Sequence, residues 1–367
     1  GKPAPREDGR MTDMLRDARE APPALTAEDR AALVDSVRRL LADACTETDV
    51  RRIMESESGH DPALWRALAD LGVVGLTVPE AFGGAALGPV ELGLVMEATG
   101  AALLPAPLIS AAIAATLLDG ERLSALAAGE SLVAVAFAGS RDWTGRSDVR
   151  HGDDTLSGTA RFVPDAAIAD TILVAMDDAV FTVARADATI TPLPVFDRTR
   201  RMADVAFHGP ATRIGDGNRV TRAHDIAMVA LAGEQAGAAR RIMEMAVDYA
   251  RERHQFGRAI GSFQAVKHMA ADLLLESESA TSAARDAARQ LSVGAPMKDA
   301  AIALAAFACG DAFVRCAKDA IQMHGGIAFT WEHPAHLYLR RARSGAQLYG
   351  DGNHWRERYL SALEAQV

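Results

Sequence analysis

Apolar positions along the first third of the chain recur at three- and four-residue intervals. In AEDRAALVDSVRRLLADA, residues 27–44, Leu33, Val37, Leu40 and Leu41 share one helical face, and Thr26 stands where an N-cap is needed. DPALWRALADLG, residues 61–72, repeats the pattern, with Pro62 suited to a helix start and Gly72 to a stop. A turn-rich connection, GLTVPEAFGGAALG, leads into PVELGLVMEATGAALL, which is helical until Pro105 and Pro107 interrupt it. Near Gly129 the period changes. SLVAVAF, TLSGTARFV, DTILVAM, AVFTVAR and DVAFHG are short, rich in β-branched residues and separated by Asp, Gly or Pro. With no helical period between them, they predict an antiparallel β domain that ends near Gly217. From Thr221 onward three long helical segments follow, covering 224–253, 262–291 and 297–325, and adjacent long helices predict a bundle. The expected fold is mostly α: an N-terminal helical domain (25–128), a middle antiparallel β domain (129–217) and a C-terminal four-helix bundle (218–365).

Composition narrows this further. Aromatic residues are only 5% of the chain while alanine is abundant, which favours closely packed helices over bulky cores. A formal charge of −10 argues against general nucleic-acid binding. Cys45, Cys309 and Cys316 form no CxxC pair, and two of them sit in an alanine-rich helical pattern, so buried free thiols are expected rather than a metal site or disulfide. No signal peptide or long uninterrupted apolar run is evident, so a cytoplasmic protein without a membrane span is expected. Residues 1–10, GKPAPREDGR, precede Met11 and are left out of the fold reasoning as a tail of uncertain origin.

Two motifs carry the chemistry. The stretch RERHQFGRAIGSFQAVKH, residues 251–268, gathers an arginine, an aromatic ring and an amide around Gly257 and Gly261 at a helix junction. A second, Gln322-Met-His-Gly325-Gly326, closes the last long helical pattern. Taken singly, Arg253 could cap a helix, Phe256 could be core and the glycines could simply end a helix. Together, Arg253-His-Gln-Phe256-Gly257, Phe263-Gln264 and Gln322-Met-His-Gly325-Gly326 resemble the acyl-CoA dehydrogenase family, and LWRALADLGVVGLTVPEAFGG resembles that family's first domain. The resemblance implies a bound FAD shared across a subunit interface, with Arg253 on the pyrophosphate of a neighbour's cofactor. It also implies that Phe256 packs on the cofactor and that Gln264 and Gln322 hydrogen-bond it. The Gly325–Gly326 pair would let backbone approach.

The same resemblance exposes gaps. The family's own-subunit flavin contacts include Thr-Glu-Pro … Gly-Ser-Asp; here VAFAGSRDWTGRSD keeps only Ser147-Asp148. An aromatic-Ile-Thr run becomes Phe162-Val163-Pro164, and proline has neither an N–H nor a hydroxyl to donate. The family's glutamate base occupies one of two positions. Ungapped counting puts Tyr349 at one and Ala227 at the other, followed by Met228 where an arginine is common. Neither side chain accepts a proton at neutral pH. Asp351 is a weak candidate substitute, against a solvated turn carboxylate; Asp225 suits helix-start electrostatics, and Glu234 a buried or interfacial place. His254, His268 and His324 lack metal-ligand spacing, so no metal site is expected. Ala227, Ala230 and Ala232 suit either tight helix packing or a widened acyl space.

Three readings follow. The leading one is a subunit of an FAD-dependent acyl-CoA dehydrogenase, with a homologous partner subunit in an α2β2 assembly, as in actinobacterial sterol-side-chain enzymes. That partner would carry the glutamate. The alternatives are a homomeric enzyme with Asp351 as a displaced base, and a flavin-free scaffold on the same fold.

Overall fold

A computed structural model describes residues 25–152 and 154–366; the tail set apart on sequence, residues 1–10, lies outside the described residues. The N-terminal helices are α1 (Ala27–Ala44), α2 (Glu47–Glu55), α3 (Pro62–Asp70), α4 (Pro89–Ala101), α5 (Leu108–Leu117) and α6 (Glu121–Ala127). Their starts are written in local chemistry. Thr26 accepts from the Asp29 N–H at 3.1 Å, and the Asp29 carboxylate accepts from the Thr26 N–H at 3.0 Å. Thr46 and Asp49 repeat this reciprocal cap at the head of α2, a separate helix that the apolar pattern does not distinguish. Asp61 caps α3 ahead of Pro62.

Two four-stranded sheets follow. One has the order β1 (Val133–Phe137), β4 (Thr171–Ala175), β5 (Ala179–Ala184), β8 (Thr212–Asp216); the other runs β2 (Arg150–His151), β3 (Thr155–Pro164), β7 (Met202–Pro210), β6 (Ala188–Pro192). β1 pairs with β4 in parallel, Val133 opposite Thr171, a departure from the all-antiparallel expectation. The chain leaves β1, builds β2 and β3 in the other sheet, and returns in the same direction, which only a long crossover permits. β4 is buried on both faces. Ile172 and Val174 join Phe181, Leu156 and Phe207 between the sheets, while Leu173 and Ala175 face the helical core.

The C-terminal bundle is built from α7 (Val220–Glu252), α8 (Gln264–Ser292) and α9 (Lys298–His324). Two shorter helices follow, α10 (Ala335–Gly345) and α11 (Gly352–Glu364), both packed on α9. Ala227, Ala230 and Ala232 are fully buried, and the packing around them is tight: a Cβ on Gly237 would sit 1.9 Å from the Glu97 carbonyl oxygen, and one on Gly100 2.0 Å from that of Glu234. α4 and α7 therefore touch backbone to backbone. Cys45, Cys309 and Cys316 are free and buried. The segment Lys298–Phe329 is long and apolar enough to cross a membrane by length and composition, although Asp311, Arg315, Lys318 and Asp319 interrupt it. Its apolarity is used within the fold, where Phe313, Cys309, Cys316 and Ala317 are wholly buried against the neighbouring helices.

Candidate functional site

The first motif forms at the C-terminal end of α7. Arg253 is the C-cap, its N–H donating to the Tyr249 carbonyl, and a two-residue ribbon, β9 (His254–Gln255) with β10 (Arg258–Ala259), turns the chain. The Ile260 N–H closes the turn on the Arg253 carbonyl at 2.7 Å. Gly257 takes φ +77°, as such a turn demands, but Phe256 also takes φ +54°, a strained value for an aromatic residue. Phe256 is 93% exposed, its ring edge-on to Phe263, over which the Arg258 guanidinium stacks at 4.0 Å. Gln264 is the exposed first residue of α8.

The second motif lies beside the first. Gln322 is exposed on the last turn of α9, Gly325 ends that helix at φ +67°, and nothing lies within 4 Å of where a Cβ on Gly325 or Gly326 would project. The two motifs are locked together by the buried His324, whose ring lies 4.7 Å from that of Tyr249 and whose Nδ1 bonds the Ala320 carbonyl at 2.7 Å. Arg253, Phe256, Gln264, Gln322, Gly325 and Gly326 thus share one end of the bundle. That surface offers a guanidinium, two amides and two unobstructed glycine backbones, a donor set that fits a dinucleotide pyrophosphate.

None of these six residues lines the main cleft, a space of about 650 Å³ between the β domain and the α10–α11 junction. The cleft has aromatic walls: Trp143 faces Phe162 at 6.2 Å and Tyr349 at 6.5 Å. Arg141, Arg146, Arg343 and Arg358 give it a cationic rim. Tyr349, at the position ungapped counting assigns to a base, is 2% exposed with φ +62°; burial pushes its hydroxyl well above the usual range. His224 is also neutral here, pushed down to about 3 by burial and then by Arg141 and Arg358. Asp351 reaches the rim of the cleft, but its carboxylate caps α11, accepting from the His354 N–H at 2.8 Å. Ser147 and Asp148 brace β3 instead, accepting from the N–H groups of Arg161 and Thr159.

Beyond Tyr349, in the space enclosed by Met96, Leu108, Pro164, Glu234 and Arg341, only about 20 Å³ remains. Charged side chains occupy the space. Arg200 donates to both oxygens of Glu234 at 2.7 and 2.8 Å, and Arg341 donates to Glu234 at 3.0 Å. Arg341 also lies 3.0 Å from Asp197 and donates to Thr199 and to the Leu104 carbonyl. Burial raises the Glu234 pKa, but the two guanidiniums outweigh it and hold the carboxyl below its ordinary value. Nearby, burial pushes Asp165 up while Ser110 donates to it at 2.5 Å. Glu234 takes the buried place its sequence context allows. Arg200 and Arg341 carry no such signal, because nothing in their local sequence distinguishes a buried arginine from an exposed one. Asp225 lies under the start of α7, tied to Lys298 of α9 at 3.5 Å, and Ala227 and Met228 are core. No His, Cys, Asp and Glu cluster with metal-binding geometry occurs among the described residues.

Known proteins resemble this chain in architecture and in sequence. Family models described as the N-terminal and C-terminal domains of acyl-CoA dehydrogenase match residues 27–120 and 215–360. The chain is 38% identical over 347 residues to acyl-CoA dehydrogenase IpdE2 of Mycolicibacterium smegmatis, covering 93% of this chain and 99% of that one. Two solved structures superpose with a TM-score of 0.83. One, a variant of the Tcur3481-Tcur3483 steroid ACAD, is 27% identical and covers 92% of this chain and 98% of its own. The other, the ChsE4-ChsE5 complex from Mycobacterium tuberculosis, is 26% identical and covers 93% and 98%. With both helical domains matched and a full-length relative at this identity, the chain belongs to the acyl-CoA dehydrogenase family.

Proposed function

We propose that this chain is the non-catalytic subunit of a heteromeric FAD-dependent acyl-CoA dehydrogenase, and that a homologous partner supplies the carboxylate base. The observation that carries this reading is the filled slot behind Tyr349, where the paired charges of Arg200, Glu234, Arg341 and Asp197 leave no room for an acyl chain. The carboxylate in that space is committed to two guanidiniums, and the residue at the entrance is a buried tyrosine. Neither takes an α-proton at neutral pH.

The six-residue surface at the end of the bundle lies outside the chain's own cleft. Arg253 would pair with the pyrophosphate of FAD, Gln264 and Gln322 would donate to it, and the Gly325–Gly326 backbone would lie against it. Phe256, strained and exposed in the isolated chain, would be covered by cofactor and partner. When bound, FAD accepts the substrate β-hydrogen as hydride. This chain's part is to fix and orient the dinucleotide. The two-component naming of both solved relatives supports a paired subunit, and the description of one as a steroid enzyme supports a steroid-derived acyl-CoA as the substrate.

The test is co-expression with the homologous partner, then FAD stoichiometry and acyl-CoA-dependent bleaching near 450 nm. Arg253→Gln should lower FAD content without abolishing assembly, while Asp351→Asn should leave bleaching unchanged. If this chain alone purifies yellow and is bleached by an acyl-CoA, the divided-site reading is wrong.

A further inference from the structure

A separate cavity of about 410 Å³ opens between the α1–α2 corner and the face formed by α4, α7 and α10. It shares no lining residue with the main cleft or with the filled slot. Its size falls in the range of about 300–1,000 Å³ typical of small-molecule sites. Leu41, Val50, Ala98, Leu103 and Leu337 make an apolar floor. At the rim stands Arg241, exposed, with the Tyr338 hydroxyl as its polar neighbour and no carboxylate in ion-pair contact among the described residues. The nearest acidic residue in the lining, Glu47, is already engaged by Arg51 at 2.7 Å. Tyr338 is itself buried and oriented, donating to the Ala101 carbonyl at 2.6 Å, with its oxygen turned to the Arg241 guanidinium.

The wall of this cavity is strained. Leu103 is a buried leucine at φ +51°, in the left-handed region that an L side chain disfavours. Arg341 holds it there from the far side, donating to the Leu104 carbonyl at 3.2 Å and approaching that of Leu103 at 3.5 Å. The buried ion pairs that fill one slot thus also fix the partition that shapes the other.

We infer that this cavity binds a compact amphipathic carboxylate, its apolar body on the Leu41–Leu103–Leu337 floor and its carboxylate on Arg241. Arg38 also lines the cavity but is paired with Asp35 at 3.6 Å, so Arg241 is the lining guanidinium without a carboxylate partner among the described residues. That suits a planar monoanion, which takes two parallel N–H bonds, whereas a polyphosphate would need several cations. A fatty acid and a steroid acid share this chemistry, and titration distinguishes the two sources.

The experiment is isothermal titration of the full-length chain with decanoate, cholate and, as a neutral control, decanol. Saturable binding of one carboxylate per chain is expected, and whichever acid binds more tightly identifies the body. Arg241→Gln should weaken it by about tenfold or more, the loss of a charge-assisted hydrogen bond pair. Ala42→Trp, at an exposed helical position on the cavity lining, should block it without touching the core. Arg146→Gln, in the main cleft, should leave it unchanged. The inference is overturned by an absence of saturable binding, by decanol binding as well as decanoate, by affinity that survives both cavity variants, or by loss of binding in Arg146→Gln.

Discussion

Replacing Glu234 by glutamine tests the buried network directly. The side chain is 7% exposed and receives three charge-assisted hydrogen bonds, two from Arg200 at 2.7 and 2.8 Å and one from Arg341 at 3.0 Å. Glutamine has nearly the same shape but no charge, and leaves Arg341 with Asp197 and Arg200 with no carboxylate in ion-pair contact among the described residues. Removing one partner from a buried ion pair costs about 3–5 kcal/mol, because the surviving charge is left desolvated. Urea unfolding of the wild type and the variant at pH 7 should differ by that amount, with unchanged slope. The double variant Glu234→Met with Arg200→Met removes a matched pair and leaves Arg341 with Asp197. It should cost less than the sum of its single changes. The pH dependence has a definite sign. Because Glu234 titrates lower in the folded chain than its ordinary 4.5, its contribution is complete above about pH 4.5 and is lost as pH falls through the lower folded value. The gap between wild type and Glu234→Gln should therefore close in acid. A loss below about 1 kcal/mol at pH 7, the value of an exposed pair, would refute the claim that these charges are sealed from water.

Other outcomes follow from the same packing. His224, between Phe137 and Trp355, has its pKa pushed down to about 3 by burial, so the unfolded chain takes up its proton first as pH falls. His224 alone should cost about 1.4 kcal/mol of stability per pH unit below about 6.5. In a denaturation series His224→Phe should remove that share of the slope, leaving the part due to His60, His324, His333, His336 and His354, which burial also pushes down. Gly237→Ala places a methyl 1.9 Å from the Glu97 carbonyl and must push α4 from α7; a cost of about 3 kcal/mol, or failure to fold, is expected by thermal melt. Burial pushes the thiols of Cys45, Cys309 and Cys316 to about 12, so Ellman's reagent should titrate none of them in the native chain over minutes and all of them in denaturant.

Much of the architecture is legible in the sequence because its signals are local. Thr26, Asp61 with Pro62, and Gly325 mark helix ends through hydrogen bonds and backbone angles set within a turn of chain. The shift from helical period to short β-branched runs marks the β domain, though β6 and β8 escape it. ATITP and TRIGD are edge strands, largely exposed, with little apolar alternation to announce them. The motifs around Arg253, Phe256, Gln264 and Gln322 are legible as a family resemblance, and it is that resemblance which implies a dinucleotide grip.

Closure of the slot is a different kind of fact. Asp197, Arg200, Glu234 and Arg341 come from three separate stretches of the sequence, and apart from Glu234, whose context allows a buried place, each alone reads as an ordinary surface charge. Only the packing of α4 and α7 and the loop after β6 removes water from all four at once, and desolvation turns weak surface charges into a fixed plug. The pairing of β1 with β4, the separation of the surface around Arg253 and Gly325 from the chain's own cleft, and the strained Leu103 partition are likewise matters of which distant segments meet. The sequence by itself determined the elements and the chemical groups on offer. The tertiary structure decided which of those groups face water, which face one another, and so which cavity stays open.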